Sequence, residues 1–152
     1  MSAIVIVDTS VFLNILNVPG MNNDWEDVYK ELERLIEAED HLFIPMAAIV
    51  ETGNHIAQLA NGAQRRSVAK RFVDNVRQAL NDEAPWKPIN FPTNNEVLGW
   101  LDCFTEAATH GMGVGDLSIK KEWETLCERH SMSRVRVWTL DADLGGLDRI
   151  PH

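Results

Sequence analysis

Ala3-Ile4-Val5-Ile6-Val7-Asp8-Thr9-Ser10 is the stretch whose reading decides the fold. Ala3–Val7 is a continuous apolar run, mostly β-branched, with no polar alternation. Such a run suits a strand covered on both faces, as in a parallel sheet. The run ends on a carboxylate, Asp8. Burying an unpaired charge is costly, so an acid at the end of a buried strand is poor packing material. The same juxtaposition returns late in the chain, where Val135-Arg136-Val137-Trp138-Thr139-Leu140 reads as a strand and Asp141 follows it. Strand-end acids placed this way point to one shared pocket. A cluster of carboxylates needs cations, so a hard-metal site is the first expectation.

Between these two strands the pattern alternates. A helical turn over Thr9–Leu16 is broken by Asn17-Val18-Pro19-Gly20. An amphipathic helix follows from about Asp24 to Glu39, with Trp25, Val28, Leu32, Leu35 and Ile36 as its apolar stripe and Asn23 with Glu26 as a capping pair. Leu42-Phe43-Ile44 reads as a second strand, and Pro45 suits the first position of the next helix, which carries Glu51. Ala63–Leu80 continues as helix, with Val68, Phe72, Val73, Val76 and Leu80 as its apolar positions. Trp86–Ile89 is a short third strand, weakened by Pro88. Thr93-Asn94-Asn95-Glu96 is a capping box that opens a helix to about Thr109. Gly111 and Gly113 make a turn, Asp116 starts a helix to about His130, and Arg149-Ile150-Pro151 is a short edge element. Strands alternating with helices imply an α/β domain with a mostly parallel sheet. In such sheets ligands bind beyond the carboxyl ends of the strands. Glu51 on its helix and Asp116 at a helix start can reach the edge where Asp8 and Asp141 sit.

The bulk numbers fit one domain spanning 1–152, with enough chain to bury a core without staples. Hydrophobic residues make up 45%, which excludes a disordered chain. The formal net charge is −9, from 23 acidic and 14 basic residues. That balance weighs against a passive nucleic-acid-binding module, whose footprint is basic. It does not weigh against a metal enzyme, because bound cations offset local acidity. Cys103 and Cys127 read as small core residues in a reducing compartment. No signal peptide and no apolar run long enough to span a membrane is present, so the expectation is a cytoplasmic protein.

Taken together, Val7-Asp8-Thr9-Ser10-Val11-Phe12-Leu13, Ile49-Val50-Glu51, Gly115-Asp116-Leu117-Ser118-Ile119 and Thr139-Leu140-Asp141-Ala142-Asp143-Leu144 resemble the PIN-domain ribonucleases, a family common as toxins of toxin–antitoxin pairs. The resemblance covers nearly the whole chain. It implies a single PIN-like domain, a three-layer α/β/α sandwich around a central, mostly parallel sheet. It also implies metal-dependent endonucleolytic cleavage of RNA leaving 5′-phosphate and 3′-hydroxyl ends. Residue by residue, Asp8, Glu51, Asp116 and Asp141 match the four family carboxylates. Asp143 either supplements Asp141 or faces solvent. Ser10 and Thr139 fall where the family often has hydroxyl residues supporting the acidic site. The chain departs from the pattern at Lys120 and Lys121, where the family's late helix usually continues with small apolar residues. The implied partners are an RNA substrate and a small antitoxin, and family members commonly form homodimers.

The chemistry stands apart from the name. Carboxylates can hold one or two Mg²⁺ or Mn²⁺ ions, which lower the pKa of bound water and offset charge on a phosphodiester. Mg²⁺ keeps several waters and needs few protein oxygens, so no Cys or His ligand is required. Each acid also has a structural role open to it. Asp8 and Asp116 suit helix N-termini, Asp141 suits a turn, and Glu51 suits a solvated helix face. The five histidines, His41, His55, His110, His130 and His152, show no metal-ligand spacing and read as surface or loop residues. Arg65, Arg66, Lys70 and Arg71 form either a solvated helix face or a phosphate-positioning cluster. Two further classes share this architecture. A receiver-type phosphoacceptor domain needs a lysine after a late strand, and none follows Val135–Leu140. A non-catalytic PIN-like domain would bind only a protein partner and leave the acids dispensable. No Gly-rich dinucleotide fingerprint follows the first strand.

Overall fold

A computed structural model describes residues 2–89 and 91–151. His152 therefore lies outside the described residues. The elements run β1 (Ile4–Val7), α1 (Thr9–Ile15), α2 (Trp25–Glu37), β2 (His41–Ile44), α3 (Met46–Ala57), α4 (Gly62–Leu80), β3 (Trp86–Pro88), α5 (Asn94–Thr109), α6 (Val114–Arg129), β4 (Val135–Trp138), a 3-10 turn at Ala142–Leu144, and β5 (Asp148–Arg149). The sheet order is β3-β2-β1-β4-β5. β1 pairs in parallel with both β2 and β4, β2 pairs in parallel with β3, and only β5 is antiparallel, against β4. The chain thus builds outward from β1 in both directions. That order puts a topological switch at the carboxyl end of β1, where α/β sheets open a crevice.

β1 is central and all four of its residues are buried. Val5 and Val7 join Leu42, Ile44 and Trp138 in a core with residues of α1 to α4. Ile6 and Val137 turn the other way, against Ile119 of α6 and Leu144. The alternation of side chains along a strand therefore feeds both faces of the sheet, and the outcome is three layers. Phe12 anchors the first core at the centre of a ring cluster, 6.3 Å from Phe72 and 6.2 Å from Trp86 between centroids. α5 packs on α6 rather than on the sheet, and none of its described residues is fully buried.

Several local expectations change. α2 starts on Asp24 rather than Asn23, and the Asp24 N–H donates to Asn14 Oδ1 at 3.1 Å. Trp25 and Ile36 lie on its exposed side, while Val28 and Leu35 reach the core. Val73 and Leu80 of α4 are exposed as well. The capping box holds as read, with Thr93 Oγ1 accepting from the Glu96 N–H and Glu96 accepting from the Thr93 N–H. Cys103 and Cys127 are free and only part-buried. The last segment is tied down by Arg149, whose guanidinium donates to the carbonyls of Cys127, His130 and Ser133. No helix among the described residues is long and apolar enough to cross a membrane.

Candidate functional site

β1 passes directly into α1 with Asp8 between them. The Asp8 N–H donates to Trp138 O of β4 at 3.0 Å, and its carbonyl accepts from Phe12 N–H at 3.0 Å. Its carboxylate makes no helix cap. Instead it accepts hydrogen bonds from Thr139 Oγ1 at 2.7 Å and Ser10 Oγ at 3.2 Å. Asp8 is buried, and these two hydroxyls aim it. Thr139 also accepts from the Asp141 N–H at 2.9 Å, and Ser10 Oγ accepts from the Leu140 N–H at 2.9 Å. The expected supporting role of Ser10 and Thr139 is therefore a literal lattice that stitches the ends of β1 and β4 together.

Glu51 projects from the middle of α3, where Ala48, Thr52 and Ile56 form the buried face. One carboxylate oxygen accepts from Thr9 Oγ1 at 3.1 Å. The other faces Gly115, where a Cβ would overlap it. That absent side chain lets the start of α6 approach α3. Gly113 caps α6, so Asp116 falls in its first turn rather than at its start. Asp141 caps the 3-10 turn by accepting from the Asp143 N–H at 3.0 Å. Its turn role is thus realised, and it leaves the second carboxylate oxygen outside that bond.

The acids converge. Asp8, Glu51, Asp116 and Asp141 line one cavity of about 180 Å³, together with Thr9, Ser10, Leu13 and His55. Carboxylate oxygens of Asp116, Asp141 and Asp143 lie within 4.8 Å of one another. Asp143 thus joins the cluster while also facing solvent. Burial, and then the charges of Asp8, Glu51, Asp141 and Asp143, push the Asp116 carboxyl up to about 6. The charges of the other four acids therefore all reach Asp116. An all-oxygen donor set of this kind fits a hard divalent cation and suits neither a soft nor a thiolate-seeking one.

His55 departs from the expected surface or loop position. It sits on α3, four residues after Glu51 and so on the same helix face, and it lines the acidic cavity. The signal was available in that spacing. His41, His110 and His130 lie on a strand or at helix ends away from it. No lysine lines the cavity, so the partner that a receiver-type phosphoacceptor needs is missing among its walls. Arg65, Arg66 and Lys70 do not line it either. They border a separate groove of about 860 Å³ between α3 and α4, floored by Ile56, Phe72 and Val73.

A three-layer α/β/α sandwich around a mostly parallel sheet with β1 central is the fold that the resemblance implied. Solved structures with the same fold bear this out. The FitAB complex bound to an IR36 DNA fragment matches with a TM-score of 0.59 at 19% identity, over 94% of this chain and 89% of that one. FitAcB from Neisseria gonorrhoeae matches with a TM-score of 0.55 at 22% identity, over 93% and 94%. VapBC2 from Rickettsia felis, bound to a DNA fragment from their promoter, matches with a TM-score of 0.55 at 16% identity, over 90% and 99%. No protein-family model matches this chain, and no curated protein matches it in sequence. At these identities the likeness establishes the fold.

Proposed function

We propose that this chain is a divalent-metal-dependent endoribonuclease of the PIN type, acting in the cytoplasm as the toxin of a toxin–antitoxin pair. The observation that carries the reading is the convergence of five carboxylates at the carboxyl ends of β1 and β4. The five acids converge where no lysine or arginine among the described residues lines the cavity to balance their charge. Asp116, Asp141 and Asp143 would hold Mg²⁺ or Mn²⁺ most directly, with Asp8 and Glu51 completing the set. A bound ion of this kind would acidify water and offset charge on the phosphate. The chain's own part is to hold the carboxylates in place through Ser10, Thr139 and Thr9. The antitoxin partner is carried over from the fold likeness to the FitAB and VapBC2 complexes.

The test is cleavage of single-stranded RNA by the purified chain with Mg²⁺ or Mn²⁺, and its loss on chelation. Asp8→Asn should lower the rate by at least about 100-fold, the scale of losing a preorganised electrostatic group, with its circular dichroism and melting behaviour retained. Full cleavage by Asp8→Asn with metal present sinks the assignment.

A further inference from the structure

We infer that His55 is the hydrogen-bond donor that receives the substrate phosphate in the acidic cavity. This rests on the nuclease reading above and goes beyond the carboxylate set. The starting point is a count of side-chain donors on the cavity wall. Asp8, Glu51, Asp116 and Asp141 are acceptors only once they are ionised around a cation. Leu13 has no polar group. The hydroxyl hydrogen of Thr9 is committed to Glu51. That of Ser10 is committed to Asp8, and its oxygen already accepts from Leu140. His55 is the remaining side chain with an N–H to give, and it has no hydrogen-bond partner among the described residues.

A phosphodiester entering this cavity brings charged non-bridging oxygens into a wall of carboxylates. The cations neutralise the acids, but the oxygens turned away from them lose water and need a donor, because an unmet charged acceptor is costly. An imidazole carries an N–H in its neutral form and two when protonated, so it can serve in either state. Its place on α3, one turn beyond Glu51, sets it beside the acids without joining them. Its ring nitrogens form no three-ligand cluster with acid oxygens, in contrast to Asp116, Asp141 and Asp143. That position suits a contact to substrate and not a ligand to metal. α3 holds it rigidly, since Thr52 and Ile56 on either side in sequence are buried.

The experiment compares wild type, His55→Ala and His55→Gln with Mn²⁺ and a fluorescent single-stranded RNA. His55→Ala should lower kcat/KM about 10- to 100-fold, as expected for losing a hydrogen bond to a charged group. His55→Gln keeps an N–H donor and should recover most of that loss. Mn²⁺ affinity, measured by calorimetry without RNA, should stay within about twofold of wild type in both variants, well short of the tenfold that 1.4 kcal/mol represents. A second arm measures RNA binding in the Asp8→Asn background, where the added His55→Ala change should weaken it. Cleavage by His55→Ala at the wild-type rate overturns the inference and leaves the nuclease reading intact. A marked loss of Mn²⁺ affinity also overturns it, by making His55 a metal ligand. Absence of cleavage by the wild-type chain instead overturns the nuclease reading itself.

Discussion

Gly115→Ala separates the stability of α6 from the working of the acidic site. Gly115 lies in the first turn of α6, where alanine is the better helix former by about 0.8–1.0 kcal/mol. Its backbone does not use the left-handed freedom of glycine, which among the described glycines belongs to Gly20 and Gly111. The added methyl would overlap Oε1 of Glu51 and stand 3.4 Å from its Cδ. The obstruction is the tip of a flexible side chain, so the carboxylate gives way and the helix stays. The metal-free melting temperature should hold or rise, by up to roughly 2–4 °C for about 1 kcal/mol in a chain of this size. Glu51 then sits out of place by about 1 Å, a misplacement able to cost on the order of 100-fold in rate. Mn²⁺ affinity should fall about tenfold, or 1.4 kcal/mol. Scanning calorimetry, Mn²⁺ titration and RNA cleavage read the three quantities separately. Wild-type metal affinity and rate in Gly115→Ala would refute the reasoning, and so would a melting temperature several degrees lower, since the methyl would then be meeting the fold and not the ligand.

Two further perturbations probe the same site. Asp116, raised from 3.8 to about 6 chiefly by burial and then by the neighbouring acids, holds a proton in the folded chain that the unfolded chain has released across that window. Metal-free stability should therefore fall as pH rises from about 4 to 6, by roughly 1 kcal/mol after allowing for solvent screening of a part-exposed group. Urea titrations of wild type and Asp116→Asn measure it as the difference between the two, and identical pH profiles would count against it. Thr139→Val removes the donor to Asp8 and the acceptor for the Asp141 N–H. It should cost about 1–3 kcal/mol in urea unfolding, while Thr139→Ser stays near wild type; a Val variant as stable as wild type would contradict the lattice.

How much of this was legible depends on what each signal encodes. The all-apolar run before Asp8 identified a strand buried on both faces, and β1 is the central strand of the sheet. The Thr93–Glu96 box was readable because both of its bonds are local in sequence. The stripe on α2 was read too broadly. Periodicity reports that Trp25 and Ile36 share an apolar side with Val28 and Leu35, but not how far a neighbouring layer extends to cover it. Asp143 was undecidable because a 3-10 turn capped by Asp141 has no hydrophobic period to announce it. The need for Gly115 was invisible for another reason: it arises from the close approach of α3, sixty-odd residues earlier, and not from its own dihedral angles. His55 was legible in principle, as the i+4 partner of Glu51, but a search for metal-ligand spacing among histidines alone passes over it.

The hydroxyl lattice joins residues separated by 129 to 131 positions. Order of synthesis therefore matters. At roughly 5–20 residues per second, β4 follows β1 off the ribosome by something like 7–26 seconds. Until it arrives, Asp8 has neither Thr139 beside it nor Asp141 and Asp143 across from it. No fragment short of β4 brings all five acids together, so the full set is complete only late in synthesis. For the nuclease proposed above, that interval would be a built-in delay, written into the strand order itself.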